Sequence, residues 1–177
     1  DTISVYGLDA STPLTVNGDA GDDVLHVGSP GGNVAWVYGA VTFDGGTGTD
    51  TLNYNDAIGD FRPAFTYTVD DTYVGRSGSG PTVNYSGAEA VVVRCGVGDD
   101  TVNVEDTPAA GPVTVYGGDG DDTTHVNPTG GQFAIGALLT VDGGDGSDSL
   151  VVHDESTPLP VAWALTGSRI EDNYGNA

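Results

Sequence analysis

Five copies of one nine-residue pattern recur along this chain, and they limit what it can fold into more than any bulk property does. Gly18–His26 reads GDAGDDVLH, Gly45–Asn53 reads GGTGTDTLN, and Cys95–Asn103 reads CGVGDDTVN. Gly117–His125 reads GGDGDDTTH and Gly143–Val151 reads GGDGSDSLV. Each fits G-G-x-G-x-D-x-U-x, with U usually apolar and at most one slip per copy. Glycines at positions one, two and four permit a tight corner with positive φ, where a β-carbon would clash. The residues that follow each corner read as a short strand. A corner and a strand repeated five times predict stacked turns.

Position six of the pattern holds Asp23, Asp50, Asp100, Asp122 and Asp148. If successive turns stack one strand spacing apart, about 4.8 Å, these aspartates line up as like charges. Two such charges repel by about 3 kcal/mol at an effective dielectric near 20. A hard cation that takes six to eight oxygens removes that repulsion and completes its own shell from carboxylates and glycine carbonyls. Calcium is therefore the expected cofactor. The expected ligands are Asp1, Asp22, Asp23, Asp50, Asp99, Asp100, Asp119, Asp121, Asp122, Asp145 and Asp148, with the backbone at Gly45, Gly117 and Gly143.

The nonapeptide resembles the repeat of RTX (hemolysin-type) calcium-binding proteins, whose signature belongs to a parallel β-helix. A companion pattern, Tyr85-Ser86-Gly87-Ala88-Glu89 followed by a valine-rich strand into Gly96–Asp100, resembles large repetitive bacterial surface proteins. The resemblance implies a calcium-held structural element and an extracellular location. It departs from the RTX enzymes in one respect, because the nonapeptides here recur once per turn and do not run back to back. That spacing leads us to expect ions along one edge only.

A longer repeat encloses the short one. Leu14–Val27 matches Val113–Val126 at an offset of 99, and Val41–Asp56 matches Leu139–Asp154 at an offset of 98. The chain reads as one unit of residues 1–99 followed by a second, incomplete unit of residues 100–177. Position-six aspartates, counting Asp1, step by 22, 27, 50, 22 and 26 residues. The 50-residue step suggests two turns, with a degenerate corner near Val69-Asp70-Asp71-Thr72. Alternating apolar residues predict inward-facing positions at Leu14/Val16, Val24 with its neighbours, Val41/Phe43, Val91/Val93, Val102/Val104, Val113/Val115 and Leu139/Val141. The expected fold is all-β: a right-handed parallel β-solenoid of about seven coils. The alternative is a pair of tandem β-sandwich domains, since about 98 residues is also an immunoglobulin-like length.

Composition narrows the function classes. The net charge is −22, lysine and methionine are absent, and all but four of the 26 acidic residues are aspartate. Aspartate with 29 glycines indicates turns, where glutamate would suit a helical surface. So negative a chain repels nucleic acid and anionic lipid, and no membrane-inserting run is present. Arg62, Arg76, Arg94 and Arg169 are scattered, so no basic site for acidic sugars forms, and we expect no enzyme activity. His26, His125 and His153 occupy related repeat positions; a transition-metal site would require them to converge. Trp36, Trp163, Tyr6, Tyr38, Tyr54 and Tyr116 offer either core packing or a glycan-binding stripe.

Cys95 stands at a corner position, as a tolerated small residue or as an intermolecular bridge. Asn84-Tyr85-Ser86 is a glycosylation sequon. Calcium sites of weak turns fill at the millimolar levels outside cells, so we expect a secreted protein of the bacterial surface or matrix. Asp1 falls at position six without its five preceding residues, and neither end reads as capped. The expected partners are therefore other copies stacked end to end or flanking repeats of a longer array, with calcium at the junctions of a fibre or stalk. The alternatives are an adhesin that binds cell-surface glycans and a carbohydrate-active β-helix.

Overall fold

A computed structural model describes residues 1–57, 64–78, 80–129 and 135–153, together with the backbone of strands 163–166 and 169–172. The described residues form strands and turns with no helix. One sheet orders six strands: β1 (Thr2–Val5), β3 (Val24–Val27), β5 (Thr51–Asn55), β9 (Ala90–Arg94), β11 (Val113–Asp119) and β13 (Leu139–Asp145). A second sheet orders eight: β14 (Ser149–Val152), β12 (Thr123–Val126), β10 (Thr101–Val104), β6 (Thr66–Val69), β7 (Tyr73–Arg76), β8 (Thr82–Ser86), β4 (Val41–Asp44) and β2 (Leu14–Asn17). The strands β15 (Trp163–Thr166) and β16 (Arg169–Asp172) form a separate antiparallel pair.

Outside β7 and that last pair, every pairing is parallel, as in β1 with β3 and β10 with β12. Along the chain, strands alternate between the two sheets except at β6–β8, and residues of the two repeat units pair directly where β9 meets β11 and β6 meets β10. Tandem antiparallel sandwiches do not arrange strands this way.

The core lies between the sheets. Val16, Leu25, Val27, Val41, Phe43, Leu52, Tyr54, Val91, Val93, Val102, Val104, Val113 and Val115 are buried, and they alternate with outward polar residues. Leu14, Leu139 and Val141 are only partly buried. In β3 the inward phase belongs to Leu25 and Val27, so Val24 itself is half-exposed. That phase follows from the pattern, since Leu25 is the apolar position eight of its nonapeptide and position six already faces inward.

The segment within the 50-residue step departs from expectation. Val69-Asp70-Asp71-Thr72 does not form a corner between sheets; it is the turn of a β6–β7 hairpin within the second sheet. Asp70 closes that turn: its amide donates to the Tyr73 carbonyl at 2.9 Å, and its Oδ1 accepts from the Thr72 hydroxyl at 2.8 Å. The chain then returns through β7 and β8 before crossing to β9. The second corner of the 50-residue step is Ser86–Glu89, where glutamate takes the aspartate position. Beside this hairpin the interior turns polar. Arg76 is buried against Asp56, and Asp56 also accepts the Tyr67 hydroxyl at 2.8 Å and the Val34 amide at 3.2 Å. The Arg76 guanidinium lies over the Phe65 ring at 4.1 Å. These partners offset the cost of taking a charge pair out of water.

Glycine positions in the corners touch each other from row to row. A β-carbon on Gly48 would stand 2.1 Å from the Gly21 carbonyl oxygen, whereas one on Gly21, the same motif position one copy earlier, would meet nothing within 4 Å. Both have positive φ, 149° and 118°. Gly21→Ala and Gly48→Ala therefore share a backbone penalty of about 1–3 kcal/mol. Gly48→Ala is expected to lose more stability in urea melts, because its neighbour is rigid backbone. Equal losses in the two variants would show that the corners are not in contact.

Candidate functional site

The corners build the candidate site, and they fall in two places. Gly18–Asp23, Gly45–Asp50 and Ser86–Glu89 carry the chain from the second sheet to the first, entering β3, β5 and β9. Cys95–Asp100, Gly117–Asp122 and Gly143–Asp148 carry it from the first sheet to the second, entering β10, β12 and β14. The motif aspartates therefore form two columns, at the opposite ends of the strands, and do not share one edge. The strand β9 is the pivot. It receives one corner and leads straight into the next, so the sheet that receives each repeat position exchanges between the units.

Within each column the carboxylates face inward and bind backbone. Asp23 Oδ1 accepts from the Asp1 amino group at 2.6 Å, Asp50 Oδ1 from the Asp23 amide at 2.8 Å, and Glu89 Oε2 from the Asp50 amide at 2.7 Å. The second column repeats the arrangement. Asp100 Oδ1 accepts from the Phe65 amide at 2.8 Å, Asp122 Oδ1 from the Asp100 amide at 2.8 Å, and Asp148 Oδ1 from the Asp122 amide at 3.0 Å. Each carboxylate thus holds the corner of the neighbouring row in register. Asp23, Asp50, Asp100 and Asp122 are buried, whereas Asp1 and Asp148 are exposed.

The other carboxylate oxygen is the informative one. Oδ2 of Asp23, Asp50 and Asp122 is buried without a hydrogen-bond partner. A β-carbon on Gly18 would stand 2.7 Å from Asp23 Oδ2 and 2.3 Å from the Gly45 carbonyl oxygen. On Gly45 it would meet Asp50 Oδ2 at 2.7 Å and the Gly87 carbonyl at 2.2 Å; on Gly117, Asp122 Oδ2 at 2.4 Å and the Gly143 carbonyl at 2.3 Å. Three corners therefore bring an unpartnered carboxylate oxygen and a carbonyl oxygen from the next row to one small cradle. Only the glycine α-hydrogen, a weak donor, points between them, and a buried carboxylate oxygen without a stronger partner is the kind of atom a hard cation satisfies. The Cys95–Asp100 corner differs, because Asp100 Oδ2 accepts the Gly96 amide at 3.0 Å.

The remaining expected ligands lie elsewhere. Asp22, Asp99 and Asp121 project outward, where Oδ1 of each accepts an amide of the next row, from Thr49, Asp121 and Ser147 at 2.9, 3.0 and 2.9 Å. Asp119 and Asp145 are exposed and face each other across β11 and β13. Among the described residues, no three His, Cys, Asp or Glu side chains converge on one point. Each cradle instead pairs one carboxylate with backbone. Sequence reading did not identify Glu89 as a corner residue; its place after Ser86-Gly87 and before a strand was the available signal.

The other candidate residues divide clearly. Tyr54 is core, Tyr6, Trp36, Tyr38 and Tyr116 are exposed, and the Trp163 side chain lies outside the described residues, as does Arg62. Asn84 lies exposed on β8. Cys95 is buried, with burial pushing its thiol well up, so it is unavailable for an intermolecular bridge. Of the three histidines, His125 and His153 converge, and His26 lies in the other sheet.

Burial raises the carboxyl of Asp122 to about 6 from 3.8, opposed in part by the Asp100 amide and reinforced by Asp100, Asp148 and Asp99. Asp100 is also raised, again chiefly by burial. A carboxyl raised on folding contributes stability that is complete below its unfolded value and is lost as pH climbs through its folded value. The metal-free protein is therefore expected to be more stable near pH 4 than at pH 7, with the fall running from the unfolded value of 3.8 to the folded value of about 6 in thermal melts. A flat profile across that range would show that these carboxylates are fully compensated without a cation.

No protein-family model, curated protein or solved structure matches this chain, so the chemistry of its own residues carries the functional reading.

Proposed function

We propose that this chain is a calcium-stabilised parallel β-solenoid, a structural segment of an extracellular bacterial fibre, stalk or matrix. The observation that carries the reading is the set of buried, unpartnered Oδ2 atoms of Asp23, Asp50 and Asp122, each beside a glycine carbonyl of the next row. Bound calcium supplies positive charge that removes the repulsion between neighbouring carboxylates and satisfies these oxygens. Asp23 with Gly45, Asp50 with Gly87, and Asp122 with Gly143 would hold it. The parallel pairing and the alternation between sheets support the solenoid, and the nonapeptide's resemblance to RTX repeats points the same way.

Sites of this kind suit millimolar calcium, and this supports reading the protein as extracellular. The outermost rows, β1 and β2 at one end and β14 at the other, offer strand edges to another copy or a flanking repeat. Calcium at such a junction would couple segments head to tail, and a non-closing contact of that type extends into a fibre.

A calcium titration with a chelator control tests the proposal. Each site filled at one hundred times its Kd adds about 2.7 kcal/mol, so the Tm should rise steeply with calcium and return on chelation. Asp122→Asn keeps an oxygen for the Asp100 amide while deleting the charge. At pH 7 it should stabilise the metal-free protein and shrink the calcium-induced rise. An Asp122→Asn variant with the full calcium response would remove that corner from the metal set, and an unchanged Tm in wild type would end the reading. Negative-stain images at high calcium check assembly, with monodisperse monomers counting against it.

One observation favours adhesion as a second reading. Tyr6, Trp36 and Tyr38 are half to two-thirds exposed around the Leu8–Val37 bridge. In the second unit the matching sequence positions are Glu105, Ala134 and Gly136, so the repeat does not need aromatics there. Their faces suit the C–H surface of a neutral sugar. A glycan array should then lose binding on Trp36→Ala with the fold intact; binding to no glycan removes this reading.

A further inference from the structure

His125 and His153 take no part in the corner chemistry. Thr124 and Val126 occupy the inward positions of β12, so His125 lies on its outer face. His153 follows β14, the outermost row of the second sheet. The register of His125 with Val151 sets His153 two residues further along the neighbouring row, a diagonal relation within side-chain reach. The two rings are 5.4 Å apart and tilted by 38°, and Nδ1 of His125 stands 3.2 Å from Nε2 of His153. The backbone beneath is fixed: the His153 amide donates to the Val126 carbonyl at 2.9 Å, and Asn127 Nδ2 donates to the His153 carbonyl at 3.0 Å.

The geometry points to a site for one borderline divalent transition ion (zinc, copper or nickel) between these two imidazoles, separate from the calcium corners. Two nitrogens bound to zinc at about 2.0–2.1 Å lie about 3.4 Å apart at the tetrahedral angle and about 2.9 Å apart at a right angle. The observed 3.2 Å falls between those limits. Both rings bind in the neutral form, His125 with its proton on Nε2 and His153 with its proton on Nδ1. Calcium, which takes oxygen ligands, does not compete for nitrogen. No third carboxylate, thiol or imidazole joins the pair among the described residues, and water or a donor from another molecule can complete the shell. The net charge of −22 raises the local concentration of divalent cations around the pair.

The tandem repeat provides an internal control. His26 holds the position of His125 in the first unit, but Asn55 stands where the second unit has His153. His26 pairs in register with Ser4 on one side and Asn53 on the other, so no imidazole partners it across the sheet. The same frame is built without the pair, and packing therefore does not require histidine at 153.

The experiment uses the whole chain in excess calcium, titrated with zinc by calorimetry and with copper(II) by electron paramagnetic resonance. Wild type should bind at one saturable site whose copper spectrum carries splitting from two imidazole nitrogens. His153→Asn, which copies Asn55, and His125→Gln should each weaken zinc binding by at least about tenfold with circular dichroism unchanged. His26→Gln should bind as wild type. Zinc affinity retained in His153→Asn, or a copper spectrum without nitrogen splitting, would overturn the proposal: the ions would then sit on surface carboxylates and the histidines would share only a hydrogen bond.

Discussion

Everything in this structure depends on one contact, the carboxylate of a corner aspartate accepting the backbone amide of the corner on the neighbouring row. That amide has no partner within its own tight turn, and burying it alone would cost about 1–3 kcal/mol. Asp50 satisfies it for Asp23, and Asp122 for Asp100, at 2.8 Å in each case. The carboxylate replaces the missing ladder partner at a position where the chain changes direction. Register between rows is thus set by side chain to backbone bonds at the corners as well as by the strand ladders.

The same contact creates the chemical tension that gives the protein its proposed use. Only one oxygen of each carboxylate is needed for the amide of the neighbouring row, and at Asp23, Asp50 and Asp122 the other is left inside without a partner. Burial raises Asp122 and Asp100, so a proton can relieve the tension at low pH. At neutral pH the proposed cation would take the place of that proton, with the carbonyl of the next glycine as a further oxygen for it. Glycine is required at these corners for two reasons: the positive φ of residues such as Gly46 and Gly144, and the absence of a β-carbon where backbone of the next row approaches. Stability and register are therefore properties of one arrangement, and the proposed cation binding would rest on the same one.

The hairpin within the 50-residue step shows how such an arrangement can change phase. Three consecutive strands, β6, β7 and β8, stay in one sheet, and β9 then serves two corners in succession. Shifting the columns to the other end of the strands leaves the hydrophobic alternation untouched, since inward and outward positions depend on the strand period alone. The cost falls on the interior beside the hairpin, where Arg76, Asp56 and Tyr67 replace part of the aliphatic core and bind one another.

By itself the sequence determined the strand class, the corners and most of the inward residues. Glycine conformational freedom and a two-residue apolar period are local properties, readable wherever they occur. It also placed Asp23, Asp50, Asp100, Asp122 and Asp148 at equivalent positions. Only the tertiary structure decided that these fall in two columns, that Glu89 completes the first, and that Asp70 turns a hairpin. The reason is physical: Val69–Thr72 and Ser86–Glu89 are both short polar turns between strands, and what separates them is which strand comes to lie beside each. The same holds for His125 and His153, which are 28 residues apart in the chain and meet because β12 and β14 pair in parallel.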